Sequence, residues 1–190
     1  MARPTRAELA AATDRHVDDL LGPDCRLLFV GINPGLWTAV TGAHFARPGN
    51  RFYPSLYRAR ITDHLIDASA GMNTPDRQHL IDRGIGITNI VPRATATAAE
   101  LSSAELREGG ARLRSRIAEI RPRVVAVAGI TAYRAAFGIR DAKVGEQAGD
   151  WDGARLWVVP NPSGLNAHES VDSLAAAYRE AAVAAGIVTP

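Results

Sequence analysis

Four short apolar runs punctuate a chain that is otherwise polar or helically periodic. Leu27–Val30, Val124–Ala128 and Leu156–Val159 are continuous and uncharged, while Gly84–Val91 alternates glycine with isoleucine. Runs of this length, bounded by Gly, Pro or Asn, read as buried strands. Between them the spacing changes to the helical period. Residues 5 to 21 carry Leu9, Val17, Leu20 and Leu21 among charges and stop at Gly22-Pro23, which predicts an N-terminal helix. Residues 51 to 60, with Phe52, Leu56 and Tyr57 on one side, predict another. Shorter helices are expected near 62 to 68 and 76 to 83, the second opened by Thr74-Pro75-Asp76. A long amphipathic helix is expected from Ser103 to about Ile120, with cap chemistry in Ser102-Ser103-Ala104-Glu105 and a stop at Pro122. Gly129 to Phe137 predicts one more. The last helix is capped by Ser170 or Asp172, with Leu174, Tyr178 and Val183 facing in. Strands alternating with helices imply a parallel sheet covered on both faces.

Three stretches lack periodicity: 36 to 50, 92 to 102 and the Gly/Asp-rich 138 to 154. A long loop in a compact domain is usually functional. No repeat, low-complexity tract or linker divides the chain, so residues 1 to 190 are expected to form a single domain with a sufficient core. No run of 18 apolar residues predicts a membrane span. Met1 to Arg6 leads into a polar helix rather than an apolar segment, so no secretory signal is expected.

Composition narrows the chemistry. Cys25 is the only cysteine, which excludes an internal disulfide, a Cys-rich zinc site and a four-cysteine iron–sulfur cluster, and fits a reducing cytoplasm. Lys143 is the only lysine among 22 basic residues, so amines for Schiff-base chemistry are almost absent. Gly31-Ile32-Asn33-Pro34-Gly35 lacks the Gly-Lys-Ser/Thr ending of a P-loop, and no Gly-x-Gly-x-x-Gly opens a helix. Neither His-Glu-x-x-His nor His-x-Glu with Cys-x-x-Cys is present, which argues against zinc hydrolase and zinc deaminase chemistry. No metal and no cofactor are expected.

Two strand-to-turn junctions share a grammar. Gly31-Ile32-Asn33-Pro34-Gly35 follows the first apolar run, and Asn161-Pro162-Ser163-Gly164-Leu165-Asn166 follows the last. A parallel sheet can bring both to its carboxyl edge, where open α/β sheets bind ligands.

These blocks, together with Thr41-Gly42, Phe45, Pro48, Asn50-Arg51-Phe52 and Thr88-Asn89, resemble the mismatch-specific uracil/thymine DNA glycosylases, a branch of the uracil-DNA glycosylase superfamily. The resemblance runs from Leu27 to about Tyr178 in order and spacing. It implies a three-layer α/β/α sandwich with a short central, mainly parallel sheet. It also implies hydrolysis of the N-glycosidic bond of a flipped base without metal or cofactor. Asn33 would hold the attacking water. Strongly uracil-specific relatives carry Asp there; an amide cannot take a proton and can only orient the water. The alternative role for Asn33 is an Asx-turn before Pro34. Gly35 stands where those relatives place Tyr, which would leave the 5-methyl side of a pyrimidine open; it also reads as a turn glycine. Phe45 would stack on the base, or else anchor its loop in the core. Gly31, Ile32, Pro34, Asn50 and Asn89 would complete the base pocket, Asn89 standing where some bacterial members carry Lys.

Asn161, Pro162, Ser163, Gly164 and Leu165 would pinch the DNA backbone, with Leu165 as an apolar wedge. Asn166-Ala167-His168 departs from the Ser-Arg of the best-known bacterial pattern, leaving Asn166 or His168 to face the widowed guanine. The reading is thus a cytoplasmic, monomeric, monofunctional glycosylase. It would act on uracil, thymine or cytosine adducts such as ethenocytosine opposite guanine in double-stranded DNA. A non-catalytic damage sensor and an unrelated α/β small-molecule hydrolase are the alternatives.

Overall fold

The protein is described here from a computed structural model, over residues 3–190 and without the Asp150 side chain. Met1 and Ala2, the start of the stretch read above as leading into a polar helix, lie outside the described residues. Strands β1 (Leu27–Gly31), β2 (Ile85–Asn89), β3 (Val124–Ala128), β4 (Gly145–Trp151) and β5 (Ala154–Val159) form one sheet in the order β2-β1-β3-β5-β4. All neighbours pair in parallel except β4, which runs antiparallel to β5 at the edge. The helices are α1 (Arg6–Ala10), α2 (Leu36–Thr41), α3 (Phe52–Arg58), α4 (Thr74–Asp82), α5 (Ser103–Ile120), α6 (Ile130–Phe137) and α7 (Val171–Ala184).

The period of two in a strand divides the core into two layers. Leu27 and Phe29 point to one face, where they meet Phe52 and Leu56 of α3, Leu80 of α4, and Leu174 and Tyr178 of α7. Leu28 and Val30 point to the other, against Leu113 and Ile117 of α5 and Ala132 and Tyr133 of α6. The expected α/β/α sandwich follows directly. Phe29 is the hub of the first layer, with the Phe52 ring edge-on at 5.1 Å and Tyr178 at 5.4 Å.

Several local expectations are corrected. The N-terminal helix ends at Ala10 instead of running to residue 21. Beyond it Asp14 takes a positive φ of 62°, and Leu20 exchanges both backbone hydrogen bonds with Ile87 beside β2. Leu20 enters the α3/α7 layer and Leu21 the α5/α6 layer. Consecutive side chains on opposite faces require extended chain, so the apparent helical spacing was a coincidence of a short segment. The helix expected at 62 to 68 does not form; Arg83 paired to Asp63 and His64 paired to Asp76 hold that stretch. The expected 36 to 50 loop contains α2, stopped at Gly42 with φ 69°. The 138 to 154 excursion contains β4, pinned by buried Trp151 against Phe137 and under the Arg114 guanidinium. Ser170, not Asp172, caps α7, and Val183 is only half-buried while Ala181 and Ala182 are fully covered.

β1, β2, β3 and β5 end level with one another: Gly31 is opposite Asn89, and Ala128 opposite Val159. The chain leaves β1 for β2 on one side and returns to β3 on the other. This switch point opens a crevice at the carboxyl edge.

Candidate active site

A cavity of about 290 Å³ fills that crevice. The Gly31–Gly35 turn, Phe45, Asn50, Asn89, Asn161, Ser163 and Leu165 all line it. Thus the two distant motifs do meet. Pro162 is buried behind the rim, and Gly164, Asn166 and His168 stand in the adjoining loop outside the cavity wall. Arg47 is the only charged residue in the lining among the described residues, and no carboxylate reaches it.

Asn33 is held by its amide nitrogen. Nδ2 donates to the carbonyls of Pro34 at 3.2 Å and Arg93 at 3.1 Å, and to Thr95 Oγ1 at 2.7 Å. Carbonyls only accept, so this set fixes which end of the amide is nitrogen. Thr95 Oγ1 gives its own proton to the Thr97 carbonyl at 2.8 Å and therefore accepts from Asn33. Among the described residues none donates to Asn33 Oδ1, an acceptor on a residue that lines the cavity. The Asx-turn alternative is not what forms. Thr95 is 1% exposed and its N–H donates to the Pro34 carbonyl at 3.1 Å, clamping the turn from beneath. The sequence reading missed Thr95, because the polar 92 to 102 stretch reads as solvated loop.

Gly35 has φ −74° and ψ 161°, a conformation open to any residue, and a Cβ built there meets nothing within 4 Å. The backbone therefore does not require glycine; what glycine provides is space. Gly31 is the reverse. A Cβ there would stand 2.5 Å from Asn89 Oδ1 and 3.4 Å from Phe45 Cζ.

Phe45 adopts a positive φ of 55°, a backbone state that costs about 1 kcal/mol or more in a bulky residue. Its ring stacks on Phe52 at 4.1 Å with a 24° tilt. Phe52 covers one face of the ring, which is the anchoring role considered for it, and the ring also lines the cavity. His44, beside it, is 4% exposed. Burial holds its pKa below the ordinary histidine value, against the raising effect of the Asp18 carbonyl.

The second motif is anchored by a residue that the sequence reading quoted only as part of a motif. Arg51 donates through its guanidinium to the carbonyls of Ser163 at 2.5 Å, Asn166 at 2.7 Å and Glu169, and its backbone N–H donates to Pro162 at 2.9 Å. The loop closes on itself as well: Asn161 Oδ1 accepts from Ser163 N, and Asn166 spans from the Asn161 carbonyl to the His168 N–H. The Asn166 amide thus spends one N–H and one lone pair inside its own loop, while His168 is exposed. A Cβ on Gly164 would come within 2.6 Å of the Gly49 carbonyl oxygen, so only glycine fits. At the tip, Leu165 is 77% exposed, an apolar side chain in water on a braced loop.

Chemically the cavity offers an aromatic face, two amides that can read a polar ring edge, and an acceptor for water. The lining holds one imidazole, the buried His44, and among the described residues no carboxylate.

A solved structure with the same fold supports the architecture. A Methanosarcina acetivorans protein, studied by NMR in solution and provisionally described as a uracil DNA glycosylase, superposes with a TM-score of 0.59. The match covers 92% of this chain and 98% of that one at 17% sequence identity. Residues 19–184 match the family described as the uracil DNA glycosylase superfamily, a span that includes every cavity residue named above. The chain belongs to that superfamily.

Proposed function

We propose that this superfamily member is a monofunctional glycosylase for mispaired uracil in duplex DNA. It hydrolyses the N-glycosidic bond of uracil opposite guanine, and also accepts thymine and cytosine adducts such as ethenocytosine. The single observation that carries the reading is the Asn33 amide, tied three ways through Nδ2 with no donor to Oδ1 among the described residues, in a cavity whose described lining has no carboxylate. The target nucleotide rotates out of the stack and its base lies on Phe45. Asn89 hydrogen-bonds the polar edge of the ring. Asn33 Oδ1 accepts from a water and aims its oxygen at C1′ of the sugar. The C1′–N bond breaks with its electron pair leaving on the base, the water oxygen bonds to C1′, and the proton passes to solvent. Because the Asn33 amide cannot take that proton, the reaction depends on departure of the base, and weakly paired, good leaving groups are favoured. The open space at Gly35 supports tolerance of C5 substituents.

Leu165 on its Arg51-braced loop suits a wedge that fills the vacated space. The partner is double-stranded DNA, and the protein acts as a monomer in the cytoplasm, at the nucleoid.

The absence of a lining carboxylate also favours one second reading, a damage-binding protein that holds an extruded base without useful turnover. Single-turnover cleavage of duplexes carrying G·U, G·T, A·U or ethenocytosine, beside single-stranded uracil, decides between them. Cleavage of G·U ahead of single-stranded uracil supports the glycosylase. Tight binding with no abasic product supports the sensor.

A further inference from the structure

An open basin of about 350 Å³ adjoins the base cavity and takes no part in the reading above. Arg3, Pro4, Trp37, Arg47 and Pro48 line it. Arg47 lines the base cavity as well, so one side chain is common to both spaces. Arg47 and Pro48 also border the depression formed with Ser163, Gly164 and Leu165. Through these two residues the basin is continuous with both parts of the candidate site.

Trp37 differs from the other two tryptophans. Trp151 and Trp157 are buried, and each carries a guanidinium over its ring, Arg114 at 4.4 Å and Arg155 at 4.7 Å. Trp37 is half-buried, and among the described residues no cation or aromatic ring covers it. Its one polar group is spent, because Nε1 donates to the Ser69 carbonyl at 2.8 Å. That bond fixes the ring and leaves the basin a π surface rather than an N–H. Arg3 and Arg47 are exposed, and neither makes an ion pair or hydrogen bond among the described residues. Arg58, Arg83, Arg93, Arg116 and Arg155, by contrast, each pair with a carboxylate. Asp67 lines a neighbouring depression with Arg47, where its carboxylate accepts from the Ser69 N–H at 2.9 Å. Among the described residues no carboxylate lines the basin itself.

A fixed aromatic surface beside two uncommitted guanidiniums matches a nucleotide of a single strand. The ring stacks on a base of any identity, and the cations meet the phosphodiesters that flank it. A base inside an intact duplex has its faces covered by its neighbours and cannot enter.

We propose that the Trp37 basin is a second nucleotide site, which takes an unpaired nucleotide next to the flipped one on the same strand. Trp37 stacks on its base, and Arg3 and Arg47 pair with the adjoining phosphates. The choice of strand rests on the glycosylase reading above; the binding itself needs no cleavage. The site favours targets whose neighbouring pair is also disrupted.

The first probe is a single-stranded octamer of deoxyadenosine, which contains no uracil. Trp151 and Trp157 are buried, so quenching of tryptophan fluorescence by the octamer reports on Trp37. Saturable quenching is expected in the parent. Trp37→Leu is expected to lose it and to bind the octamer about tenfold more weakly, with Trp37→Phe keeping most of the affinity. Arg3→Ala combined with Arg47→Ala should reduce the slope of log affinity against log salt by about 1.4, two phosphates at about 0.7 each in a single strand. The second probe compares G·U duplexes whose neighbouring pair is intact or mismatched. The neighbouring mismatch should raise the affinity of the parent more than that of Trp37→Leu, by about fivefold or more. Thermal unfolding shows whether each variant is folded. No saturable quenching in the parent, or parental octamer affinity in folded Trp37→Leu, overturns the site. If Trp37→Leu does not fold, the arginine variant decides, since both side chains are exposed: an unchanged salt slope overturns the site, and the expected reduction supports it. Octamer binding in a protein that never cleaves uracil would keep the basin and strike the glycosylase reading. Uracil cleavage without octamer binding would do the reverse.

Discussion

The Asn33 Nδ2 and Thr95 Oγ1 stand 2.7 Å apart, and the threonine proton is committed to the Thr97 carbonyl. This direction of donation settles which end of the Asn33 amide can face a water. Thr95→Val keeps the shape and removes the acceptor. It should leave the fold intact and reduce the single-turnover rate on a G·U duplex by about tenfold, the worth of one orienting hydrogen bond. Thr95→Ser should retain the parental rate. A Thr95→Val protein with parental chemistry and normal stability would remove Thr95 from the mechanism.

Gly35 tests the origin of C5 tolerance. Its backbone conformation accepts a side chain and the space beyond is empty. Gly35→Tyr should therefore fold normally, retain uracil cleavage within about tenfold, and lose thymine cleavage by about a hundredfold or more, because a methyl group meeting a ring cannot be relieved in a packed wall. Parallel rate measurements on G·U and G·T duplexes check it. Equal losses on both would show that the ring blocks the whole cavity.

Leu165 is exposed on a loop that Arg51 braces. Unstacking a base costs a few kcal/mol, and under the proposed function a Leu165 wedge offsets part of it. Leu165→Ala should slow cleavage of a stable A·U pair by about tenfold or more and single-stranded uracil by less than about twofold. A uniform loss across both substrates would place Leu165 elsewhere in the reaction.

The product should be an intact abasic site. Lys143 is the only lysine and is exposed ahead of β4, apart from the residues lining the cavity. A lyase requires an amine to attack C1′ and form a Schiff base. Borohydride treatment during cleavage of a uracil duplex should trap no protein–DNA adduct, in the parent or in Lys143→Ala. A stable adduct in the parent that Lys143→Ala lacks would overturn the monofunctional assignment.

The sheet was legible because continuous runs such as Val124–Ala128 and Leu156–Val159 have no other stable placement than a doubly covered strand. The candidate site was legible where a motif follows such a strand, as at Gly31–Gly35. What escaped the sequence was governed by contacts between distant segments. β4 is a polar strand broken by Gly145 and Gly149, anchored by one buried tryptophan and shifted in register between Gln147 and Trp151, so it carries no alternating pattern. Leu20 and Leu21 look helical until β2 is there to pair with them. Thr95 and Arg51 are polar residues in or beside loops, a setting shared with many solvated side chains. Their roles arise only when folding brings them to Asn33 and the Ser163–Glu169 carbonyls.

The central claim is that the Asn33 amide positions the attacking water, and it is tested by the single-turnover rate of Asn33→Ala on a G·U duplex beside its affinity for the same duplex. Loss of the proposed water-orienting acceptor should lower the rate by about a hundredfold or more while affinity stays within about threefold. Asn33→Asp, which adds a group able to take the proton, should equal or exceed the parent on uracil. Cleavage by Asn33→Ala at the parental rate would contradict the account.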